Sequence, residues 1–296
     1  MISLGELFLQ KYYSLSREKE SCLCVGLDPA VPSMRDRFVV PDYLVEKYGV
    51  REGIKRFCLE LIKAVAPYTP VIKLNAWYVL PLLSFEEMRE IVDAVKNCGC
   101  LSLLDAKLTD IGSTNAAGLY WIGEIGFDAV TFSPFPGYSD GTDVIYKWSE
   151  EKGKGVLVLC KMSNPGSQDY QSREVEGEPL YRLVAREALE RGADGFVVGC
   201  TRERELGEVR EIIGEEKLIF APGLGPQGGD PETAFRLGAN EKGEALIVSA
   251  SRSINYAYEA LNWPKERFAE AAAEEARRER ERLNGIKKSI LEEKGA

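Results

Sequence analysis

Short apolar runs rich in β-branched residues recur along the chain, separated by longer amphipathic stretches. The runs are CLCVGL from Cys22, VIKLN from Val71, CLSLLD from Cys100 and FDAVTF from Phe127. GVLVLC from Gly155, GFVVG from Gly195, KLIFA from Lys217 and ALIVS from Ala245 follow. Each is continuously apolar rather than alternating, the pattern of parallel strands covered on both faces. Between them, residues 50–65 put Ile54, Phe57, Cys58, Leu61, Ile62 and Val65 on one helical stripe. Segments 85–96, 179–191 and 201–213 have the same period. Strand and helix alternating eight times, with no second domain in view, predict an α/β fold: a single (β/α)8 TIM barrel over residues 1–296, its core about 20–262.

Outside the repeat, segments 133–152 and 162–178 are polar and contain Gly and Pro. Each follows a strand and reads as a loop on the barrel's C-terminal face, where active sites are built. The tail 263–296 reads as a charged helix whose EEARRERERL run is a solvated face. The start, MISLGELFLQKYYSLSREKE, reads as an amphipathic helix, without the basic start and small-residue cleavage site of a signal peptide. No run approaches the roughly 18 apolar residues needed to span a bilayer. The expectation is a cytoplasmic protein.

The formal net charge of −9 argues against nucleic acid or a membrane surface as the main partner. The chain contains 0 histidines, which excludes serine–histidine–aspartate catalysis, HExxH zinc hydrolysis and every imidazole general base. Its 7 cysteines are an odd number, against a disulfide framework. Cys22 and Cys24, and Cys98 and Cys100, have strand spacing rather than the CxxC spacing of zinc sites, so they read as small buried hydrophobes and no metal is expected.

Polar residues stand where the apolar runs end: Asp28 after the first, Lys73 and Asn75 in the second, Asp105 and Lys107 at the third, Ser163 after the fifth, Arg252 after the eighth. In a barrel these ends converge on one pocket. In LLDAKLTDIGST, Asp105 and Lys107 are two apart and Asp110 three further on. Two carboxylates hold a lysine charged, and Lys73 returns the effect; such an array is costly to desolvate, which favours a catalytic over a structural role. The turn PGLGPQGGD, residues 222–230, frees its backbone to approach an anion, with amides of a following helix N-terminus assisting. It falls after strand seven, with Arg252 one strand later, where barrels often bind phosphate.

Lys73, then Asp105-x-Lys107-x-x-Asp110 followed by Ile111-Gly-Ser-Thr114, resembles the signature of orotidine 5′-phosphate decarboxylases. The likeness runs from GLDPA at Gly26 to SRSINYA at Ser251, and SNPGSQDYQ and PGLGPQGGD resemble the longer bacterial and archaeal-type subgroup. The resemblance implies cofactor-free decarboxylation of orotidine 5′-phosphate to uridine 5′-phosphate in pyrimidine biosynthesis. It implies Asp105 at the substrate carboxylate, Lys107 as proton donor to C6, Lys73 at the ribose and in the charge array, and Asp28 at the ribose hydroxyls. It implies Ser163 at the pyrimidine, and Gln227 and Arg252 at the phosphate, with Pro222 and the amides of Gly228 and Gly229 in the same turn. Asp110, Ile111 and Thr114 would reach the neighbouring subunit's site in a homodimer. The chain departs from the pattern at Leu108 and Thr109, often arginine and glycine in the subgroup, at Ser253 and Ile254, and at Pro226, all of which bear on loop geometry.

Three rivals stand beside this reading. Magnesium-dependent sugar-phosphate decarboxylases and hexulose-phosphate synthases share the Asp-x-Lys-x-x-Asp array but need an acidic ligand where this chain has Lys73. A Schiff-base aldolase needs a lysine with a low pKa, which neighbouring carboxylates oppose. A silent nucleotide-binding barrel would be marked by loss of an array member, and none is missing.

Overall fold

The computed structural model describes residues 6–31, 34, 39–223 and 229–295. All eight apolar runs are strands: β1 (Leu23–Leu27), β2 (Val71–Asn75), β3 (Leu101–Leu108), β4 (Ala129–Phe132), β5 (Gly155–Lys161), β6 (Gly195–Val198), β7 (Leu218–Pro222) and β8 (Leu246–Ala250). They close into one parallel barrel in which each strand pairs with its sequence neighbours and β8 pairs with β1. The (β/α)8 architecture expected from the pattern is thus the one observed.

Side-chain parity divides the core in two. Cys24, Val71, Leu101, Leu103, Ala129, Leu157, Val197, Leu218, Phe220 and Ile247 fill the barrel interior. Their strand neighbours Leu23, Val25, Ile72, Leu104, Val130, Val156, Phe196, Ile219 and Val248 face outward, against the helices. The helix Asp42–Val65 buries every residue of the stripe read from its sequence, and Phe85–Asn97, Leu180–Glu190 and Glu203–Ile213 occupy the other segments expected to be helical. The N-terminal helix Glu6–Glu18 seals the barrel floor: Phe8 and Tyr12 join the interior cluster, and the Tyr12 hydroxyl donates to the Leu246 carbonyl at 2.9 Å. Burying a phenylalanine there contributes about 2 kcal/mol.

Three expectations change. Within 133–152, residues Asp143–Lys152 form a helix that buries Ile145 and Trp148. Its stripe is only two large apolar residues wide, too short to register as a period. Segment 162–178 is not wholly irregular either: it contains a helical turn, Ser167–Tyr170, and a tight hairpin pairing Glu174–Val175 with Glu178–Pro179. The charged tail is the helix Phe268–Gly295, and it is more than a solvated face. Phe268, Ala271, Ala272, Ala276, Leu283 and Ile290 are buried in the outer core, with Phe268 stacked on Phe57 at 5.2 Å, so the core extends beyond residue 262. Alanines supply half of that seam and Leu283 and Ile290 stand far apart within it, which hides it from a search for large apolar residues.

The cysteines are free; Cys24 faces the barrel interior, and Cys58 and Cys160 lie in the outer core. Among the described residues no helix is long and apolar enough to cross a membrane.

Candidate active site

Interior parity continues past the apolar layer and builds the site. Two residues beyond Val71 comes Lys73, and two beyond Leu103 comes Asp105. Asp28, Thr131, Leu159, Pro222, Ser249 and Ser251 stand at equivalent inward steps on their own strands or just after them. With Lys107, Met162, Ser163, Val197, Phe220, Gly223 and Arg252, most of these line a cleft of about 280 Å³ at the C-terminal end. Its floor is apolar and one wall is charged.

Lys73 is buried, with its Nζ 3.4 Å from Asp28 Oδ1 and 3.5 Å from Asp105 Oδ2. Lys107 Nζ lies 2.7 Å from Asp105 Oδ1, which also accepts the Thr131 hydroxyl at 2.9 Å. Two carboxylates and two ammonium groups therefore alternate, and their formal charges cancel. Burial alone would depress Lys73, but the facing Asp28 and Asp105 carboxylates outweigh it and hold the ammonium above its ordinary range. Burial alone would raise Asp105; Lys73 and Lys107, with hydrogen bonds from Lys107 and Thr131, hold it below the ordinary carboxylate range instead. Lys73 and Asp105 are therefore both held in their charged forms at neutral pH.

Lys107 does not reach this position on a regular strand. Its φ is 51°, in the left-handed region, and the β3–β4 register shifts between Leu104 and Leu108. The Lys107 amide donates to Thr131 Oγ1 at 3.0 Å, so one threonine fixes both the bulged backbone and the Asp105 carboxylate. Left-handed backbone at a residue with a Cβ costs of order 1 kcal/mol or more and persists where surrounding structure imposes it. Leu108 completes the bulge: its carbonyl accepts the Ser133 amide at 2.8 Å and it pairs with Phe132.

Other residues expected at the site divide. Asp28, Ser163, Pro222 and Arg252 line the cleft with the array. Asn75 does not; its side chain accepts the Trp77 amide at 3.2 Å and caps the short helix Ala76–Val79. Asp110 is exposed on the rim, accepts the Ile111 amide at 2.7 Å, and has no ion pair with Lys107 within the chain, so it is not a member of the intrachain array. Ile111 and Thr114, just before and within the first turn of the helix Gly112–Ile125, are exposed beside it. Gln227 and Gly228 lie outside the described residues, as does Pro226. The Gly229 amide donates to the Gly223 carbonyl at 3.3 Å, closing the turn on itself. The following helix, Pro231–Gly238, does not offer its first amides to an anion, because Asp230 accepts those of Glu232 and Thr233.

Sequence reading missed Thr131, Ser249 and the apolar floor of Leu159, Val197 and Phe220. Strand parity was the signal available for each: Thr131 is two residues beyond Ala129, and Phe220 two beyond Leu218. Gly26, two residues beyond Cys24, carries no chemistry of its own in the sequence. A Cβ there would fall 1.9 Å from Ser251 Oγ and 3.3 Å from Lys73 Cε, so a side chain would displace the wall that seats Lys73.

A larger cavity, about 670 Å³, opens at the opposite end between the terminal helices. Two pairs of its charged groups face each other, Arg17 with Glu244 and Lys288 with Glu292, but it holds no alternating buried array like that of the smaller cleft.

The comparisons with known proteins agree with this geometry. The family model described as Orotidine 5'-phosphate decarboxylase / HUMPS family matches residues 21–262. The orotidine 5′-phosphate decarboxylase of Cupriavidus metallidurans is 34% identical over 284 residues, covering 94% of this chain and 97% of its own length. That of Dechloromonas aromatica is 34% identical over 284 residues, covering 94% and 98%. Among solved structures, a putative orotidine-monophosphate-decarboxylase from Toxoplasma gondii superposes with a TM-score of 0.81 at 26% identity, covering 96% of this chain and 97% of that one. The OMP decarboxylase of Leishmania donovani superposes with a TM-score of 0.73 at 27% identity, covering 93% and 98%. By the family match and by identity along nearly its whole length, the chain belongs to the orotidine 5′-phosphate decarboxylase / HUMPS family.

Proposed function

We propose that the chain, a carboxy-lyase of this family, converts orotidine 5′-phosphate to uridine 5′-phosphate in pyrimidine biosynthesis without a cofactor, with Lys107 as proton donor to C6. The observation that carries the proposal is the alternating array, in which Lys107 Nζ is 2.7 Å from Asp105 and the buried Lys73 stands 3.5 Å from the same carboxylate, all lining the cleft.

The bond between C6 and the substrate carboxylate breaks, carbon dioxide leaves, and the electron pair stays on C6. An N–H bond of Lys107 then breaks and its proton goes to that carbon; solvent reprotonates the lysine. Without a delocalising cofactor the carbanion is stabilised only by fixed charge, and a lysine pinned beside it supplies both field and proton. Asp105 faces the substrate carboxylate, Lys73 and Asp28 the ribose hydroxyls, and Ser163 the pyrimidine above the apolar floor. Arg252 holds the phosphate, with Pro222, Gln227 and the Gly228 amide in the adjoining turn; the Gly229 amide joins them on leaving its 3.3 Å bond to the Gly223 carbonyl. Phosphate binding, remote from the reacting carbon, supplies energy for organising the site.

The protein acts in the cytoplasm as a homodimer, with Asp110, Ile111 and Thr114 completing the partner's site. Supporting this, Asp110 is exposed rather than in its own chain's array, and Ile111, Tyr120 and Trp121 on the segment that follows it are all more than half exposed. Lys73 stands where a magnesium-dependent sugar-phosphate enzyme would need an acid, which favours the metal-free reaction. The experiment is the ultraviolet-monitored loss of orotidine 5′-phosphate by purified protein, with and without EDTA. Turnover indifferent to EDTA is expected; no turnover, or turnover abolished by EDTA and restored by magnesium, contradicts the proposal.

A further inference from the structure

Arg202 does not line the cleft, yet two of its three guanidinium nitrogens bind the loop that delivers Ser163 to it. Nε donates to the Met162 carbonyl at 3.3 Å, and Nη2 to the carbonyls of Ser163 at 3.3 Å and Asn164 at 2.8 Å. Three consecutive carbonyls therefore converge on one planar fork, and Arg202 makes no ion pair with an acid among the described residues. The Thr201 hydroxyl adds a fourth donor, 3.3 Å from the Ser163 carbonyl. Arg202 is itself placed by a turn at the end of β6, its amide donating to the Gly199 carbonyl at 2.9 Å.

The approach of the two segments is tight. A Cβ on Gly199 would fall 2.7 Å from both Cα and Cβ of Ser163, so only glycine lets the β6 turn close on the loop. Beyond Ser163 the same loop is tied down again by Lys161, whose buried Nζ donates to the Ser167 carbonyl at 3.2 Å and to the Ser172 hydroxyl at 2.5 Å. Gln171 closes the base by accepting the Met162 amide at 2.9 Å. Two cations thus bind neutral acceptors on one loop. Such bonds to charged donors are stronger than neutral ones, and the arginine fork fixes direction as well as distance.

We infer that Arg202 is a positioning residue for substrate binding: it holds the 162–164 backbone so that Ser163 meets the pyrimidine in a preformed orientation. The inference rests on the assignment of Ser163 to the base given under the proposed function. It places a determinant of base recognition on the strand-six turn, outside the cleft.

The test is a double-variant cycle on the full-length protein, measuring kcat and KM for orotidine 5′-phosphate together with Tm. Ser163→Ala, Arg202→Gln, Arg202→Lys and the Ser163→Ala/Arg202→Gln pair are compared with wild type. Arg202→Gln is expected to raise KM about tenfold with a smaller change in kcat, the size of losing one good charge-assisted bond. In the Ser163→Ala background the same change is expected to cost under about twofold, because residues acting through one contact are not additive. Arg202→Lys keeps the charge and length, so it folds and tests the fork itself; one ammonium spans fewer carbonyls, and KM is expected between wild type and Arg202→Gln. Wild-type KM in both Arg202 variants while Ser163→Ala is impaired overturns the inference alone. An equal loss in both backgrounds also overturns it, since Arg202 would then act independently of Ser163. Wild-type kinetics in Ser163→Ala overturns the assignment of Ser163 and the inference with it.

Discussion

Two buried aspartates, at opposite ends of the same barrel, are driven in opposite directions. Asp105 ends the interior row of β3 at the rim, and Asp194 precedes β6 at the floor, where its Oδ2 accepts the Val156 amide at 3.0 Å. Both are largely removed from water, and burial raises both. At the rim Lys73 and Lys107 more than reverse that push, and Asp105 is held below the ordinary carboxylate range. At the floor no ion pair reaches Asp194 among the described residues; the Val156 amide, Lys217 and Ser149 do not compensate, and its pKa is pushed up to about 7. The floor carboxylate is a strand-capping acceptor that tolerates a proton. The rim carboxylate is locked ionised by two cations, which is what a site that must stabilise charge electrostatically requires. Burial of an acid is therefore no mark of function; the cations facing it are.

The largest effect should come from the rim. Lys107→Ala is expected to lower kcat by about 10³-fold or more, the upper range for a positioned proton donor, while product binding measured by calorimetry changes far less. Parallel losses of binding and turnover would make Lys107 a binding residue and erase the functional side of the contrast.

Lys73→Met comes next. It leaves Asp28 and Asp105 facing each other in a buried wall with Lys107 alone to compensate, and breaking a buried pair in this way costs about 3–5 kcal/mol. Chemical denaturation should show that loss at neutral pH. The loss should shrink in acid, because a carboxylate with a lowered folded pKa contributes stability above its unfolded pKa of about 4 and loses it as pH falls. A variant as stable as wild type would mean that the rim charges are not coupled as their distances suggest.

Gly199→Ala is expected to raise KM about tenfold, by pushing the Ser163 backbone off its seat, with Tm lowered by a few degrees. Kinetics at wild-type level would show that the strand-five loop has room to yield.

The smallest functional effect belongs to the floor. Asp194 has its folded pKa raised, so its favourable contribution is complete below about pH 4 and is lost as pH rises through about 7. Asp194→Asn keeps an acceptor for the Val156 amide and removes the charge. It should stabilise the protein by about 2–4 kcal/mol at pH 8, the equivalent of roughly three pK units at most, and give no gain at pH 4, with kcat unchanged throughout. A destabilised variant at pH 8 would place a compensating cation at the floor and collapse the distinction between the two ends.

The fold was legible because parallel barrel strands are apolar on both faces, and all eight runs said so. Lys73, Asp105, Asp28, Ser163 and Arg252 are legible because polar residues at or just after the ends of buried apolar runs have only the barrel mouth to occupy, whereas Pro222 enters through the glycine-rich turn and the family resemblance. Lys107 was legible as a residue but not as a geometry: its φ of 51° and the β3 register shift depend on Thr131, a strand away. Spacing alone does not show that Asp110, three residues past Lys107, is exposed and accepts the Ile111 amide instead of pairing with Lys107 within the chain. The buried seam of the terminal helix is not legible because half of it is alanine and the charged residues between outnumber it. Arg202 could not have been found by pattern at all, since an arginine that serves backbone carbonyls has no partner residue to look for.

The most direct measurement on the ionised rim is a carboxyl carbon-13 NMR titration of aspartate-labelled protein, assigned with Asp105→Asn and Asp194→Asn. The Asp105 resonance is expected to stay at its ionised position down to below about pH 4, the ordinary aspartate value, while Asp194 titrates near 7. An Asp105 midpoint at or above about pH 5 would contradict a carboxylate held ionised by Lys73 and Lys107 and remove the electrostatic basis for placing the reaction at Lys107.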